Sequence, residues 1–214
     1  MSKRFLIIMG VLVVLFFGFL VFGKSNDSAD APTDVSKGSN HVKGESSTGV
    51  TLVEFGDFEC SACAAFYPVV KEIEKKYDGV VSFQYRHFPL VQIHKNAMVA
   101  HRAAEAAGKQ GKFFEMHDIL YERQKIWSVS ENPTRIMEDY ATELALNIDT
   151  FKTDFASATV NDVISADTKI GQDLGVSATP TFVLDGKVIE DTPNDITKFS
   201  KLIDDAIAAK SAQQ

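Results

Sequence analysis

Cys60 and Cys63 are the two cysteines of a 214-residue chain, and only Ser61 and Ala62 separate them. Closing so short a loop removes little entropy from the unfolded chain, so the pair is a poor staple. What the spacing supplies is chemistry. Two thiols one helical turn apart can form and break a bond with each other, or can contribute to a metal site. A structural zinc needs about four ligands. The five histidines, His41, His87, His94, His101 and His117, contain no His–His pair at i,i+4, and no second C-x-x-C is present. Reversible thiol–disulfide exchange is therefore the expected chemistry, with no metal ligands assigned.

The elements around the pair suit that chemistry. Thr51 to Phe55 is rich in β-branched and apolar residues and reads as a strand. From about Cys60 the period changes. Phe66, Val69, Val70, Ile73 and Tyr77 recur at helical spacing, with Lys71, Glu72, Glu74, Lys75 and Lys76 on the other side. Both cysteines are thus expected at a strand-to-helix turn, where residues three apart have Cβ atoms roughly 5–6 Å apart. Cys60 would face the positive end of the helix dipole and unpaired backbone N–H groups, which favour the thiolate. Pro68 falls inside the helical run and is expected to kink it. Glu54 is the odd residue of the strand. In a central strand its carboxylate would be buried with a raised pKa, placed to take or relay the proton of Cys63; in an edge strand it would be an ordinary solvated glutamate.

The chain begins with Lys3 and Arg4, followed by an uncharged apolar run from Phe5 to Phe22. At 1.5 Å per residue this run spans ~27 Å, close to the ~30 Å hydrocarbon core. Positive charge before it and Asp27, Asp30 and Asp34 after it put the N-terminus in the cytoplasm and the body outside. The expected organisation is a transmembrane signal-anchor over 1–23, a flexible linker over 24–39 and one domain over 40–214. A cleaved signal peptide is the competing reading, although its apolar core is usually shorter, ~7–15 residues. Either way the cysteines reach a disulfide-permissive compartment. The net charge is −7, with 22 Lys+Arg against 29 Asp+Glu and no basic cluster, which argues against nucleic acid as a partner.

Beyond the first helix, Val80 to Arg86 reads as a second strand, parallel to the first. A helical region follows, about 95–174. Its pieces lie within Asn96–Ala107, from about Gly111 (Phe113, Met116, His117, Leu120 and Tyr121 on one face), after the Asn132-Pro133 start, after Asp149 as a cap, and over Val160–Leu174 up to Gly175. His117 is expected to be a hydrogen-bonded core histidine, and Trp127 to close a helix end. Asp167 falls in an apolar stripe with no evident role. Thr181 to Leu184, the Asp185-Gly186 turn and Lys187 to Ile189 form a hairpin, and Ile196 to Ala209 a closing helix. The fold class is α/β: a central mixed sheet flanked by helices, with a helical block inserted.

This arrangement resembles the thioredoxin superfamily, and within it the DsbA-like thiol–disulfide oxidoreductases that carry a helical insertion. The similarity rests on Asn40-His41-Val42-Lys43-Gly44, Val53-Glu54-Phe55, Asp57-Phe58-Glu59-Cys60-Ser61-Ala62-Cys63, Arg86-His87-Phe88-Pro89-Leu90 and Gly175-Val176-Ser177-Ala178-Thr179-Pro180-Thr181-Phe182. The resemblance implies that Pro180 is cis and lies against the cysteine pair. It also implies that Thr179 presents backbone groups to substrate peptide, and that Glu54 is a buried proton relay. One feature departs from the pattern: DsbA-type oxidants often carry histidine just before the second cysteine, where this chain has Ala62. With Glu59 also nearby, the expected depression of the Cys60 pKa is smaller and the couple less oxidising.

The expectation is then a single-pass protein of a bacterial cell membrane, with its catalytic domain extracytoplasmic, oxidising exported protein or peptide thiols through Cys60 and Cys63. It needs no cofactor beyond that disulfide, because the pair carries the electrons. It needs a membrane redox partner, either a quinone-linked reoxidant or, for a reductase or isomerase, a transmembrane electron donor. A monomer suffices. A peptide-binding chaperone with incidental cysteines and a metal-delivery protein are the alternatives from other classes.

Overall fold

Runs of β-branched and aromatic residues build five strands: β1 (His41–Lys43), β2 (Val50–Gly56), β3 (Val81–His87), β4 (Thr181–Leu184) and β5 (Lys187–Ile189). The structure, a computed structural model, describes residues 38–212. The apolar run Phe5–Phe22 and the linker up to residue 37 lie outside the described residues. Among the described residues no helix is long and apolar enough to cross a membrane. The strands form one sheet in the order β1-β3-β2-β4-β5, with β2 and β3 parallel and the other pairs antiparallel. β1 was not expected from periodicity. Three residues are too few to show an alternation, and its existence depends on pairing with β3, His41 opposite Tyr85.

Helix α1 (Ser61–Lys76) joins β2 to β3 and runs on through Pro68. Six helices separate β3 from β4: α2 (Ala97–Gly108), α3 (Phe113–Glu122), α4 (Gln124–Trp127), α5 (Pro133–Glu143), α6 (Ile148–Phe155) and α7 (Ala158–Asp173). Helix α8 (Ile196–Ser211) follows the β4–β5 hairpin. Side-chain oxygens of Asn132, Asn147 and Ser157 cap α5, α6 and α7. The cap of α6 is Asn147, which accepts from Thr150 N at 2.9 Å, rather than Asp149, which lies in the first turn. Both residue types cap well; the apolar stripe could not place the boundary two residues earlier. Asp185 and Gly186 both have positive φ, as a two-residue hairpin turn requires.

Alternation along β2 divides the core. Val50 and Leu52, with Phe83, Tyr85 and Phe182 of the neighbouring strands, pack under Val70 and Ile73 of α1 and Phe199 and Ile203 of α8. The same cluster continues without a break into the inserted helices through Ala100, Ala104, Met116, Leu120 and Met137. Phe55 points the other way, against Phe88, Val183 and Ile170 of α7. Gly171 makes that packing possible, because a Cβ there would lie 2.8 Å from the Phe88 ring. The insertion thus shares one core with the sheet and reaches the same end as the cysteine turn.

Asp167, without a role in the sequence, ties α7 to the sheet. Fully buried, it accepts from Arg86 Nη1 (2.6 Å), His87 N (3.0 Å), Ser39 N (2.9 Å) and Ser39 Oγ (2.5 Å). Ser39 therefore belongs to the folded body and not to the linker that composition assigned to 24–39. A serine reads as tether by composition, but this one supplies two donors to a buried carboxylate. Removing the acceptor would strand Arg86 and three other donors. Asp167→Ala is expected to cost about 3–5 kcal/mol, read by urea unfolding as a lower midpoint at unchanged slope.

Candidate active site

The chain leaves β2 at Gly56, crosses Asp57-Phe58-Glu59 and enters α1 with Cys60 at the N-cap position. Gly56 is needed there, since a Cβ would lie 2.6 Å from Tyr85 Cε2 and 2.9 Å from the Tyr121 hydroxyl. The turn is held from several sides. Asp57 O accepts from Cys60 N at 3.1 Å. The Asp57 carboxylate, fully buried, accepts from Glu59 N (2.9 Å) and Leu90 N (2.8 Å) and meets His94 Nδ1 at 2.8 Å. Gln124 of α4 donates from Nε2 to both Phe58 O (2.8 Å) and Cys60 O (2.9 Å). The Glu59 carboxylate, expected beside Cys60, instead accepts from Asn96 N at 2.7 Å, at the start of α2.

The two sulfurs differ in every respect that governs reactivity. Both are free thiols in this structure. Cys60 retains 8 % of its surface and Cys63 none. Hydrogen bonding from the Cys63 thiol, aided by Thr179 and by the Ala62 and Cys63 amides, outweighs burial and lowers the Cys60 pKa to about 5. Burial and the neighbouring Cys60 and Glu54 push Cys63 well above the ordinary thiol value. At neutral pH the outer sulfur is a thiolate and the inner one a thiol.

The segment before β4 closes the site from a hundred residues away. The Thr179–Pro180 peptide is cis. Cys60 Sγ lies 3.3 Å from Thr179 O, while the buried Thr179 Oγ1 has no hydrogen-bond partner other than the Cys60 sulfur itself. That hydroxyl is a spare donor, and it is among the groups that lower the Cys60 pKa.

Glu54 sits on central strand β2 with 2 % exposure, between Tyr85 of β3 and Phe182 of β4. The edge-strand alternative is thereby removed. It shares the face of Val50 and Leu52, an apolar position filled by a carboxyl. Burial, with Glu74 and Cys60 adding repulsion, raises its pKa to about 8. A group of that pKa exchanges its proton near neutrality. Sequence reasoning brought Cys60, Cys63, Glu54, Thr179 and Pro180 to this region, but gave no role to Asp57, Gln124, His101 or Glu105. The last two stand at i,i+4 in the alanine-rich α2, a signal that a search for paired histidines passes over. His117 is indeed in the core, its Nδ1 2.9 Å from Asp118 Oδ1, and Trp127 ends α4 with its indole N–H donated to Leu120 O at 2.8 Å.

The family model described as Thioredoxin matches residues 36–205. The crystal structure of oxidised BdbD from Bacillus subtilis superposes with a TM-score of 0.68 at 26 % identity, covering 78 % of this chain and 92 % of that one. Wolbachia pipientis alpha-DsbA1 has the same fold, with a TM-score of 0.69 at 21 % identity over 80 % of this chain and 92 % of its own. The chain belongs to the thioredoxin family, with the fold of its DsbA-like thiol–disulfide oxidoreductases. Among curated proteins, a Na(+)/H(+) antiporter NhaA 1 of Salinispora arenicola is 38 % identical over 168 residues, which is 78 % of this chain and 25 % of that protein. The chain spans about a quarter of the length of such relatives.

Two outcomes are expected from the site's electrostatics. Alkylation of Cys60 by iodoacetamide should titrate with a midpoint near the lowered value of about 5, and Thr179→Val, which removes the spare hydroxyl, should raise that midpoint. Glu54 binds its proton more tightly folded than unfolded, so its contribution to stability is full below about pH 4.5 and is lost as pH rises to about 8. Glu54→Gln is therefore expected to gain stability over the parent as pH rises through that window, by on the order of a few kcal/mol, measured by urea unfolding at pH 4 and pH 9.

Proposed function

We propose that this chain is a membrane-anchored, extracytoplasmic thiol–disulfide oxidoreductase that introduces disulfides into exported polypeptides. The observation that carries the reading is the Cys60 sulfur, at the mouth of α1 and against Thr179, with its pKa lowered to about 5. A stabilised thiolate favours the reduced form of the pair, and so makes its disulfide an oxidant. The value lies between the ~3.5 of DsbA and the ~7 of thioredoxin. A Cys60 pKa in that range supports a potential between theirs of ~−120 and ~−270 mV. The donors at the helix mouth offset part of what a histidine at Ala62 would supply, and Glu59, engaged by Asn96, is not among the largest influences on Cys60.

The reaction begins from the Cys60–Cys63 disulfide. A client thiolate attacks Cys60 Sγ, the one sulfur with exposed surface; the internal bond breaks and Cys63 leaves with the electron pair. The raised pKa of Cys63 demands prompt protonation, and the Glu54 carboxyl, protonated near neutrality, is the donor on that side of the strand. A second client thiolate then attacks the client sulfur of the mixed disulfide and expels Cys60 as a thiolate. Two electrons pass from the client to the pair. Thr179 and Pro180 align the client backbone beside the sulfur. A membrane protein linked to quinone takes the electrons onward, and no other cofactor is required. Residues 1–23 serve as the anchor and 24–37 as the tether.

The proposal makes separable demands. Cys60→Ser should abolish oxidation of a reduced peptide, whereas a holdase would still suppress aggregation. Cys63→Ala should accumulate client mixed disulfides on Cys60, visible on non-reducing gels. Equilibration with glutathione should give a potential well above thioredoxin's; a value near ~−270 mV would instead make the protein a reductant. Alkaline extraction with protease accessibility of the intact cell surface tests the anchor and its orientation.

A further inference from the structure

Between β1, β3 and α2 lies a group of side chains that the redox reading does not use. His41, His87 and Glu105 each offer one ligand atom, and the three atoms lie within 4.8 Å of one another. His87 is fully buried, Glu105 is 6 % exposed, and the His41 side chain keeps 16 %. We propose that these three form a binding site for one divalent transition cation of the zinc type, linking the edge strand to the helical insertion.

Donors and acceptors in the cluster must be matched. His87 Nδ1 meets His101 Nδ1 at 2.6 Å, so one nitrogen carries the hydrogen and the other does not. The remaining nitrogen of His101, Nε2, is buried without a hydrogen-bond partner and lies 3.6 Å from Asp57 Oδ1. A carboxylate attracts that nitrogen only if it bears the hydrogen. His101 Nδ1 is then a lone pair, and His87 must donate to it from Nδ1. His87 Nε2 then meets the Glu105 oxygen at 2.6 Å, an approach that needs positive charge there, either a second hydrogen on His87 or a cation in its place. A cation bound by both, with the two atoms moved apart to ligand spacing, takes the place of that hydrogen. The same ion would also take His41, whose Nε2 meets the same Glu105 oxygen.

The site is built rather than incidental. The His41 ring is stacked on Phe113 with centroids 3.4 Å apart, and Gly108 leaves it room, a Cβ there falling 3.1 Å from His41 Cε1. The metal-facing imidazole of His87 is oriented by a hydrogen bond at its other nitrogen, as ligating histidines usually are. Two imidazoles and one carboxylate suit zinc and its neighbours, not calcium or magnesium, which prefer all-oxygen sets. Three protein ligands leave a fourth position for water, and the 16 % exposure of His41 gives an entry path.

The test is kept apart from thiol chemistry, because cysteines bind zinc too. The full chain, oxidised and stripped with chelator, is titrated with zinc chloride by calorimetry. One equivalent should bind at micromolar concentration or tighter, while calcium chloride should give no heat of binding. Cys60→Ser should bind zinc equally well; Glu105→Gln and His41→Ala should weaken binding by at least ~100-fold, beyond the ~10–100-fold typical of outer-shell losses. X-ray absorption of the zinc complex should show nitrogen and oxygen neighbours and no sulfur, which guards against variants that misfold. Absence of binding would mean that a proton alone bridges the cluster, and a sulfur shell or dependence on Cys60 would put the ion on the redox pair; either result overturns the site. Both are independent of whether the pair is an oxidant.

Discussion

A fully buried carboxylate, Asp57, holds the reactive turn in place. Burial works against its charge, yet contacts from His101 and His94 and the Leu90 amide hold its pKa down to about 2. Such a charge is tolerated only while its lone pairs are occupied. Its partners come from the turn itself, from the loop after β3 and from α2. Moving the turn would strip donors from an anion that has no water to replace them. Cys60, three residues on and bound by its amide to Asp57 O, inherits that rigidity. A thiolate is stabilised by donors already aimed at it, so a turn that could wander would lose the low pKa along with its geometry.

The asymmetry of the pair follows from the same placement. Cys60 is the N-cap of α1 and sees free amides ahead of it, while Cys63 is a turn deeper, over the sheet and beside Glu54. One sulfur is tuned to carry charge and the other to avoid it. Glu54 belongs to this arrangement because of strand alternation: Val50, Leu52 and Glu54 share a face, and the third of these lies beneath the helix that the first two support. A leucine there would pack as well, by volume and period. A protonatable group in an apolar slot is unfavourable for folding at alkaline pH, and in the proposed reaction it is the proton donor that Cys63 needs.

Much of the fold was legible in the sequence because local signals agreed with the global arrangement. The Cys60–Cys63 helix, the parallel second strand, the Asp185-Gly186 hairpin and the Asn132-Pro133 start each carry a mechanism readable within a few residues. The elements that failed to show depend on partners distant in the chain. β1 is a strand only because Tyr85 is opposite. Ser39 is folded only because Asp167 waits on α7, 128 residues later. Gln124, which clamps Phe58 O and Cys60 O, sits in a polar stretch around the end of α3 that looks like any exposed turn. The cysteines were found because their type and spacing are rare; the residues that tune them are of common type, and proximity alone gives them meaning.

The inserted helices illustrate why such tuning groups gather where they do. In α2 the buried face is almost wholly alanine, with Ala97, Ala100, Ala103, Ala104 and Ala107 fully buried. Side chains this small bring neighbouring backbones close and leave no apolar bulk to fill the space beside β3. Into that space the chain puts His101 and Glu105, which meet His87 and lead to Asp57. A core of leucines would be more stable and electrically silent. The alanine helix gives up apolar burial and in return carries a line of polar contacts from the edge strand to the turn that bears the reactive sulfur. His41, at the outer end of that line, keeps 16 % of its side-chain surface, while Glu105, His87, His101 and Asp57 are almost wholly buried.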